Sequence, residues 1–399
     1  MTFNDIISQK MKEWNAPNMM SGAKARRGDK LPFSSSLMNY STYGGIPRNK
    51  ITEFYGEPGS GKTTSAIDVC KHAIDIFHQE YDEKVIELRE QYAKGNKSAG
   101  SMLEDLQEIG PKRVLYIDLE HSFDGAWAHT LGIDESDIAI MQPPDIVAED
   151  ILQAVQDLIE SGEVGLVVLD SIPSLTTRAE LEKKYGERTV ASLAGLLTVF
   201  CRKIVPLLTR YETTLIFINQ VRASLDNPYI INTPGGKAVK FYASLRILFK
   251  IGTPVDFLGN DLPQNTENPA GYIINAKITK QKSAPWDRKN ASYYLMCDAG
   301  IKPIFDYVQL AIKKYNIIKK GGAWFTLYNP DTGEVMEGPD GKPIKLNGLA
   351  KVFDYVESNR SYYTILKHYI EDDINGREHN PDVTEESDSI FETDVGTDE

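Results

Sequence analysis

The residues best suited to chemistry form one nonapeptide, Gly56-Glu57-Pro58-Gly59-Ser60-Gly61-Lys62-Thr63-Thr64. It follows the pattern G-x-x-x-x-G-K-[ST], in which a glycine-rich turn wraps backbone N–H groups around phosphate. Gly56, Gly59 and Gly61 let those groups turn inward on the β- and γ-phosphates of a nucleotide, at the positive end of a helix. Lys62 adds a compact positive charge, and the Thr63 hydroxyl can ligate Mg²⁺. A second element is Val164-Gly165-Leu166-Val167-Val168-Leu169-Asp170-Ser171, an apolar run ending in a carboxylate that can hold the metal shell. A further carboxylate, Glu120, follows the run Val114-Leu115-Tyr116-Ile117-Asp118, just past a strand end, where ligands collect in open parallel sheets. The chemistry these types point to is binding of a nucleoside triphosphate with Mg²⁺.

Such residues need elements to hold them. The β-rich run 51–55 reads as a buried strand before the loop. Residues 65–78 after it carry Ala66, Val69, Cys70, Ala73, Ile74 and Phe77 at helical spacing. Strands are expected at 114–118, 138–141, 164–170, 214–219, 245–249 and 273–279, the last with Lys277, Lys280 and Lys282. Helices are expected at 147–159, with Ile151, Leu152, Val155 and Leu158 inward, and at 190–211. Strands alternating with helices predict an α/β fold: a mostly parallel sheet, doubly wound, with helices on both faces.

Around that core the chain divides. Residues 1–45 form an N-terminal arm, in which Phe3, Ile7, Met11 and Trp14 make the stripe of a short amphipathic helix before a polar connector. The core spans 46–301, with a charged insertion at 79–112 that contains helical stretches at 83–94 and 102–109. Residues 178–188 and 223–236 read as loops, and the second is long enough to suggest a function. Residues 302–370 form a small α+β domain, with a hairpin at 323–328 beside Asp331-Thr332-Gly333 and helices at 304–315, 349–356 and 362–370. Residues 371–399 hold 12 Asp/Glu against one Arg and read as a disordered acidic tail. The formal charge of −13 is therefore concentrated in that tail, and the rest of the chain is near neutral. Basic patches for nucleic acid stay open to it. Cys70, Cys201 and Cys297 lie far apart, which fits a reducing compartment without a metal cluster. The N-terminus lacks an apolar leader, and no unbroken apolar stretch reaches membrane length.

The ordered motifs GEPGSGKTT, LYIDLEH, VVLDS, LIFINQVR, GGKAVKFYASLR and KITKQKSAPW, with GGAWFTLY beyond them, resemble those of the RecA-type recombinases, and within them the bacteriophage UvsX-like branch. The resemblance covers about residues 31–328; the insertion at 79–112 departs from the bacterial pattern. It implies a RecA-like ATPase core using ATP and Mg²⁺. Glu120 would activate the attacking water, Asp170 would lie on the Mg²⁺ side, and Asp124 and Trp127 would pack the adenine. Gln220 would sense the γ-phosphate and pass its presence to the adjoining loop. The loops at about 180–188 and 221–236 would bind DNA, with Arg178, Arg188, Arg222, Lys237, Lys240 and Arg246 as the positive charges on its backbone. Lys280 and Lys282 would reach the neighbouring subunit's ATP, and Phe241 would couple adjacent subunits. The N-terminal helix would dock on the next protomer, a head-to-tail contact that builds a helical filament.

The implied partners are single-stranded DNA, homologous duplex DNA, further copies of the chain, a single-strand-binding protein and a recombination mediator, with no membrane. The implied location is the cytoplasm, that of a host cell if the source is a phage. Three activities stay open: a filament-forming recombinase, a closed hexameric motor with the same core, and an ATP-switched DNA coat.

Overall fold

The computed structural model describes residues 29–379 apart from 135, 145, 185–191 and 224–230, together with positions 5 and 9. The striped N-terminal helix, Arg188, much of the second loop and residues 380–399 lie outside the described residues.

β1 (Lys30–Leu31) and β2 (Ile46–Pro47) pair antiparallel ahead of the core. The core strands follow as β3 (Ile51–Gly56), β4 (Arg113–Asp118), β5 (Ile138–Met141), β6 (Val164–Asp170) and β7 (Thr214–Gln220). β8 (Arg222–Ala223) and β9 (Ile231–Asn232) form a small antiparallel pair. Then come β10 (Leu245–Val255), β11 (Gly271–Gln281), β12 (Asn290–Met296) and β13 (Gly300–Ile301). In space the large sheet runs β13-β12-β11-β10-β3-β7-β6-β4-β5. It is parallel from β10 through β5 and is extended by antiparallel β11, β12 and β13.

Both faces of the parallel part are covered, which explains why its strands read as unbroken apolar runs. Alternation sorts each strand between two cores. Val114 and Tyr116 join Phe54, Ile216 and the buried stripe of the Lys62–Ala93 helix. Leu115 and Ile117 join Leu215 and Phe217 under the Ala148–Glu160 and Ser192–Arg210 helices. The Ser192–Arg210 helix is long and apolar enough to cross a membrane by length and composition alone. Leu197, Phe200, Cys201, Ile204 and Leu208 instead bury one stripe of it on the sheet.

Several elements differ from the sequence reading. The helix after the phosphate loop does not stop near residue 78 but runs unbroken from Lys62 to Ala93. No glycine or proline interrupts it until Gly95, whose φ of +93° suits glycine. A second helix, Lys97–Ile109, folds back on it, with Val85, Leu88 and Ala99 buried between them. The insertion is thus a helical hairpin. Residues 178–181, read as loop, form one helical turn fixed by a Thr177–Glu180 capping box.

The C-terminal part contains the Pro303–Lys313 helix, β14 (Ile318–Gly321), β15 (Trp324–Leu327), β16 (Lys345–Asn347) and the helices Leu349–Ser358 and Arg360–Asn375. The β14–β15 hairpin turns at Gly322-Ala323, while the 331–333 turn closes a separate Tyr328–Val335 bridge. The last helix continues past residue 370 because Tyr362, Leu366, Ile370 and Ile374 carry its buried stripe onward. It stops at Gly376, a left-handed cap.

Candidate active site

Strand register gathers the chemical residues at one sheet edge. Gly56, the last residue of β3, pairs with Gln220 at the end of β7, and Asp118 pairs with Asp170 at the ends of β4 and β6. These strands are parallel, so four tips separated widely in sequence meet where the strands end.

The phosphate loop leaves β3 and enters the long helix through Gly61, at φ +85°. A side chain at Gly56 would meet the Phe249 carbonyl at 2.3 Å, so this approach admits glycine alone. Glu57, Pro58 and Gly59 form the exposed crown, and Ser60 donates to the Glu57 carbonyl at 2.7 Å. Lys62 Nζ donates to the same carbonyl at 2.7 Å. Burial lowers the Lys62 pKa, against the opposing pull of Asp170, Glu120 and Glu57. Thr63 and Thr64 follow, half-buried, in the first helical turn.

Asp170 is the junction of this site. Its Oδ2 accepts from Thr63 Oγ1 at 2.9 Å and from Tyr116 OH at 2.7 Å. Burial raises the Asp170 pKa despite those two bonds. A nearby cation would reverse that direction, since opposite charge favours the ionised form. A hydroxyl and a carboxylate sharing a contact are hard oxygen donors of the kind Mg²⁺ takes. Among the described residues, no group of three or more His, Cys, Asp or Glu could cage an ion alone. The fit is therefore to an ion completed by phosphate and water rather than to a closed protein site.

Glu120 stands on the turn after β4, exposed, and its Oε1 accepts from Ser171 Oγ and from Gln220 Nε2, the latter at 2.9 Å. Buried Asp118 builds that turn: it accepts from the N–H groups of Glu120 at 3.2 Å and Phe123 at 2.8 Å, and from Gln142 Nε2 at 2.8 Å. Asp124 caps the Gly125–Thr130 helix by accepting from Trp127 N–H at 3.2 Å. Trp127 packs half-buried against the core.

A second cluster sits where β11 ends beside the start of β10. Lys280 Nζ donates to the carbonyls of Lys240 at 2.5 Å and Phe241 at 2.8 Å, and Lys282 Nζ donates to Phe241 at 3.1 Å. These carbonyls lie at the end of the Gly236–Tyr242 helix, where the helix itself supplies no donor. Phe241 itself is 68% exposed. Burial, then Lys282 and Arg246, lower the Lys280 pKa to about 8. Lys280 pairs with Arg246 and Arg246 with Glu53, three residues short of Gly56. At about 3.3 Å per residue, the phosphate loop lies roughly 10 Å further along the strand direction, on top of the two strand spacings that separate β11 from β3.

The remaining cationic residues are dispersed. Lys237 is exposed and Lys240 half-buried on the short helix, close to the lysine pair. Arg178 is engaged with Asp150 at 3.2 Å, an exposed and therefore weak pair. Arg222 lies in β8 at the mouth of the second loop. Arg246 is not a free cation: its side chain is 12% exposed, ion-paired to buried Glu53 and 4.5 Å from the Tyr55 ring centre.

Sequence reasoning passed over Tyr116, Asp118, Gln142, Ser171, Asn219 and Glu53. The signal for Asp118 lay in its own motif, a carboxylate ending an apolar run. For Glu53 it was a charge in the middle of the otherwise uncharged strand ITEFYG.

The RecA N-terminal domain family matches residues 84–302, a span that includes Glu120, Asp170, Gln220 and both lysines. Protein RecA of Fusobacterium nucleatum is 31% identical over 297 residues, covering 74% of this chain and 66% of that protein, just under two thirds of its length. Protein RecA of Porphyromonas gingivalis is 33% identical over 298 residues, 74% of each chain. Protein RecA of Thermus thermophilus is 32% identical over 302 residues, 75% of each.

Proposed function

Because this chain belongs to the RecA family, we propose that it is a DNA-dependent ATPase that forms ATP-bound helical filaments on single-stranded DNA. In that form it promotes pairing and strand exchange with homologous duplex, in recombination and repair. The observation that carries the reading is the pair of contacts at the sheet edge, Thr63 to Asp170 and Gln220 to Glu120, beside the phosphate loop.

In this reading an arriving phosphate draws Lys62 Nζ off the Glu57 carbonyl. Thr63 and Asp170 would hold the Mg²⁺, which would supply charge neutralisation for the nucleotide phosphates. Glu120 takes the proton of the attacking water. Gln220 exchanges its bond to Glu120 for one to the γ-phosphate, and the exchange is felt in the loop that β7 enters. Asp124 and Trp127 border the adenine. The register that puts Lys280 and Lys282 beside the start of β10 supports their action on a neighbour's ATP rather than their own. Lys237, Lys240, Arg178, Arg188 and Arg222 supply charge for the DNA backbone, and Arg246 contributes through Glu53 instead of by direct contact.

We assign the chain to the UvsX-like branch on its ordered motifs, and place it in the cytoplasm, with a single-strand-binding protein and a mediator as partners. The hexameric motor gains no support from the relatives. Electron microscopy with ATP and single-stranded DNA tests the proposal: extended helical filaments are expected, and closed rings of fixed subunit number would overturn it.

A further inference from the structure

Glu53 is fully buried in the central strand β3, between the phosphate loop and the lysine edge. A buried carboxylate persists only when paired and hydrogen-bonded. Here Arg246 Nε supplies the charge, and Asn219 Nδ2 donates to Glu53 Oε1 at 3.0 Å. The Asn219 amide also donates to the Pro234 carbonyl at 3.1 Å, while its oxygen accepts from Gln220 N–H at 3.0 Å. Both polar side-chain atoms of Asn219 are thus engaged, and each bond reaches a different part of the machine.

Pro234 opens the Pro234-Gly235-Gly236 turn that ends the second loop. Gly235 and Gly236 stand at φ +84° and +73°, and the Gly236–Tyr242 helix starts directly after them. That helix ends on the carbonyls that Lys280 and Lys282 hold. A buried polar network that is fully satisfied has one arrangement, so a shift at one member must be answered at the others.

We propose that Asn219, oriented by Glu53, is the positioning residue through which the second loop and the γ-phosphate sensor Gln220 read each other. DNA on the loop moves Pro234. Asn219 carries that movement to the Gln220 backbone, and Glu53–Arg246 anchors the opposite side of the amide. This inference rests on the DNA-dependent ATPase reading above.

The test separates coupling from stability. Asn219→Ala removes all three side-chain ties and keeps Glu53 paired with Arg246. Asn219→Asp sets a carboxylate against Glu53 and is expected to destabilise the fold. Adding Glu53→Gln to it puts an amide opposite the new carboxylate, with the donor and acceptor exchanged between β3 and β7. That exchange restores the buried hydrogen bond and its charge balance. The new carboxylate has no proton for the Pro234 carbonyl, so that tie stays broken.

ATP turnover with and without single-stranded DNA, DNA affinity with a non-hydrolysable ATP analogue, and melting temperature are measured for each protein. The expected result is a fall in DNA stimulation on the order of tenfold, a usual size for allosteric coupling, in both Asn219→Ala and the double variant. The double variant should melt near the wild type, with DNA affinity retained. DNA stimulation at the wild-type level in either protein would overturn the proposal, as would a loss that merely tracks melting temperature. Absence of stimulation in the wild type would instead overturn the ATPase reading.

Discussion

Gln220 Nε2 donates to Glu120 Oε1 at 2.9 Å across a hundred residues of chain. The tip of β7 and the turn after β4 are thereby joined directly, beside the helix that opens at Lys62. The residue expected to sense phosphate is holding the residue expected to activate water.

The two halves of that site should separate by mutation. Lys62→Ala is expected to abolish ATP binding and everything that follows from it. Glu120→Gln keeps an acceptor for Gln220 but loses the base, so turnover should fall by on the order of a hundredfold or more, with ATP and DNA still bound. Steady-state turnover and nucleotide titration check this, and undiminished DNA-stimulated turnover in Glu120→Gln would remove Glu120 from the role.

Action in trans has its own signature. Lys280→Ala protein should be defective alone, yet its turnover per subunit should rise when excess Lys62→Ala protein, with intact lysines, is mixed in. Co-assembly without any rise would return the lysines to their own site. The pH dependence follows from the lowered Lys280 pKa of about 8. As pH rises through that value a separate protomer loses the charge, so more protein should be needed for DNA-stimulated turnover at pH 9 than at pH 7. Lys280→Arg, which stays protonated, should blunt the change.

Asp306 predicts a pH effect on stability. Its Oδ2 accepts from Ser35 Oγ and from Leu37 N–H at 3.3 Å, joining the Ser36–Thr42 helix to the Pro303–Lys313 helix, while its buried Oδ1 has no partner. Burial pushes its pKa up from the ordinary 3.8 to about 7, against the bonds from Ser35 and Leu37 and with a further push from Asp68. Between those values the native state holds a proton that the unfolded chain has lost. Stability from this site is therefore full below about pH 4 and declines as pH rises to about 7. Asp306→Asn should flatten the decline and melt higher than the wild type at pH 8. Parallel pH profiles of melting temperature for the two proteins would refute it.

The last helix moves the start of the acidic tail beyond residue 370. Cutting after Ile370 would remove Ile374, which is buried, and His379, bonded to Asp372 and Asp331 at 2.8 Å each. Deleting residues 380–399 removes eight carboxylates and no Lys or Arg while sparing those contacts. If this polyanion competes with DNA for the basic loops, the truncated protein should bind single-stranded and especially duplex DNA more tightly, most clearly at low salt. Equal affinity for both proteins across a salt titration would leave solubility or partner docking as its role.

The sequence by itself determined the parts whose signal is local. A glycine-rich loop between a β-rich run and a helical period, and apolar runs ending in Asp118, Asp170 and Gln220, specify a parallel sheet with its ligands at the strand tips. Backbone sterics and burial act there over a few residues at a time, and the ordered motifs carried the family. What depended on distant partners was decided only in three dimensions. Glu120 meets Gln220 because β3, β7, β6 and β4 share one register. Arg246 looked like a free cation until β10 laid it against Glu53. The long helix ran on past residue 78 because nothing local stopped it and the returning helix gave its last turns a surface to bury. Spacing along a chain reports which residues share a face, but which faces meet is set by strand order, and strand order is a property of the whole sheet.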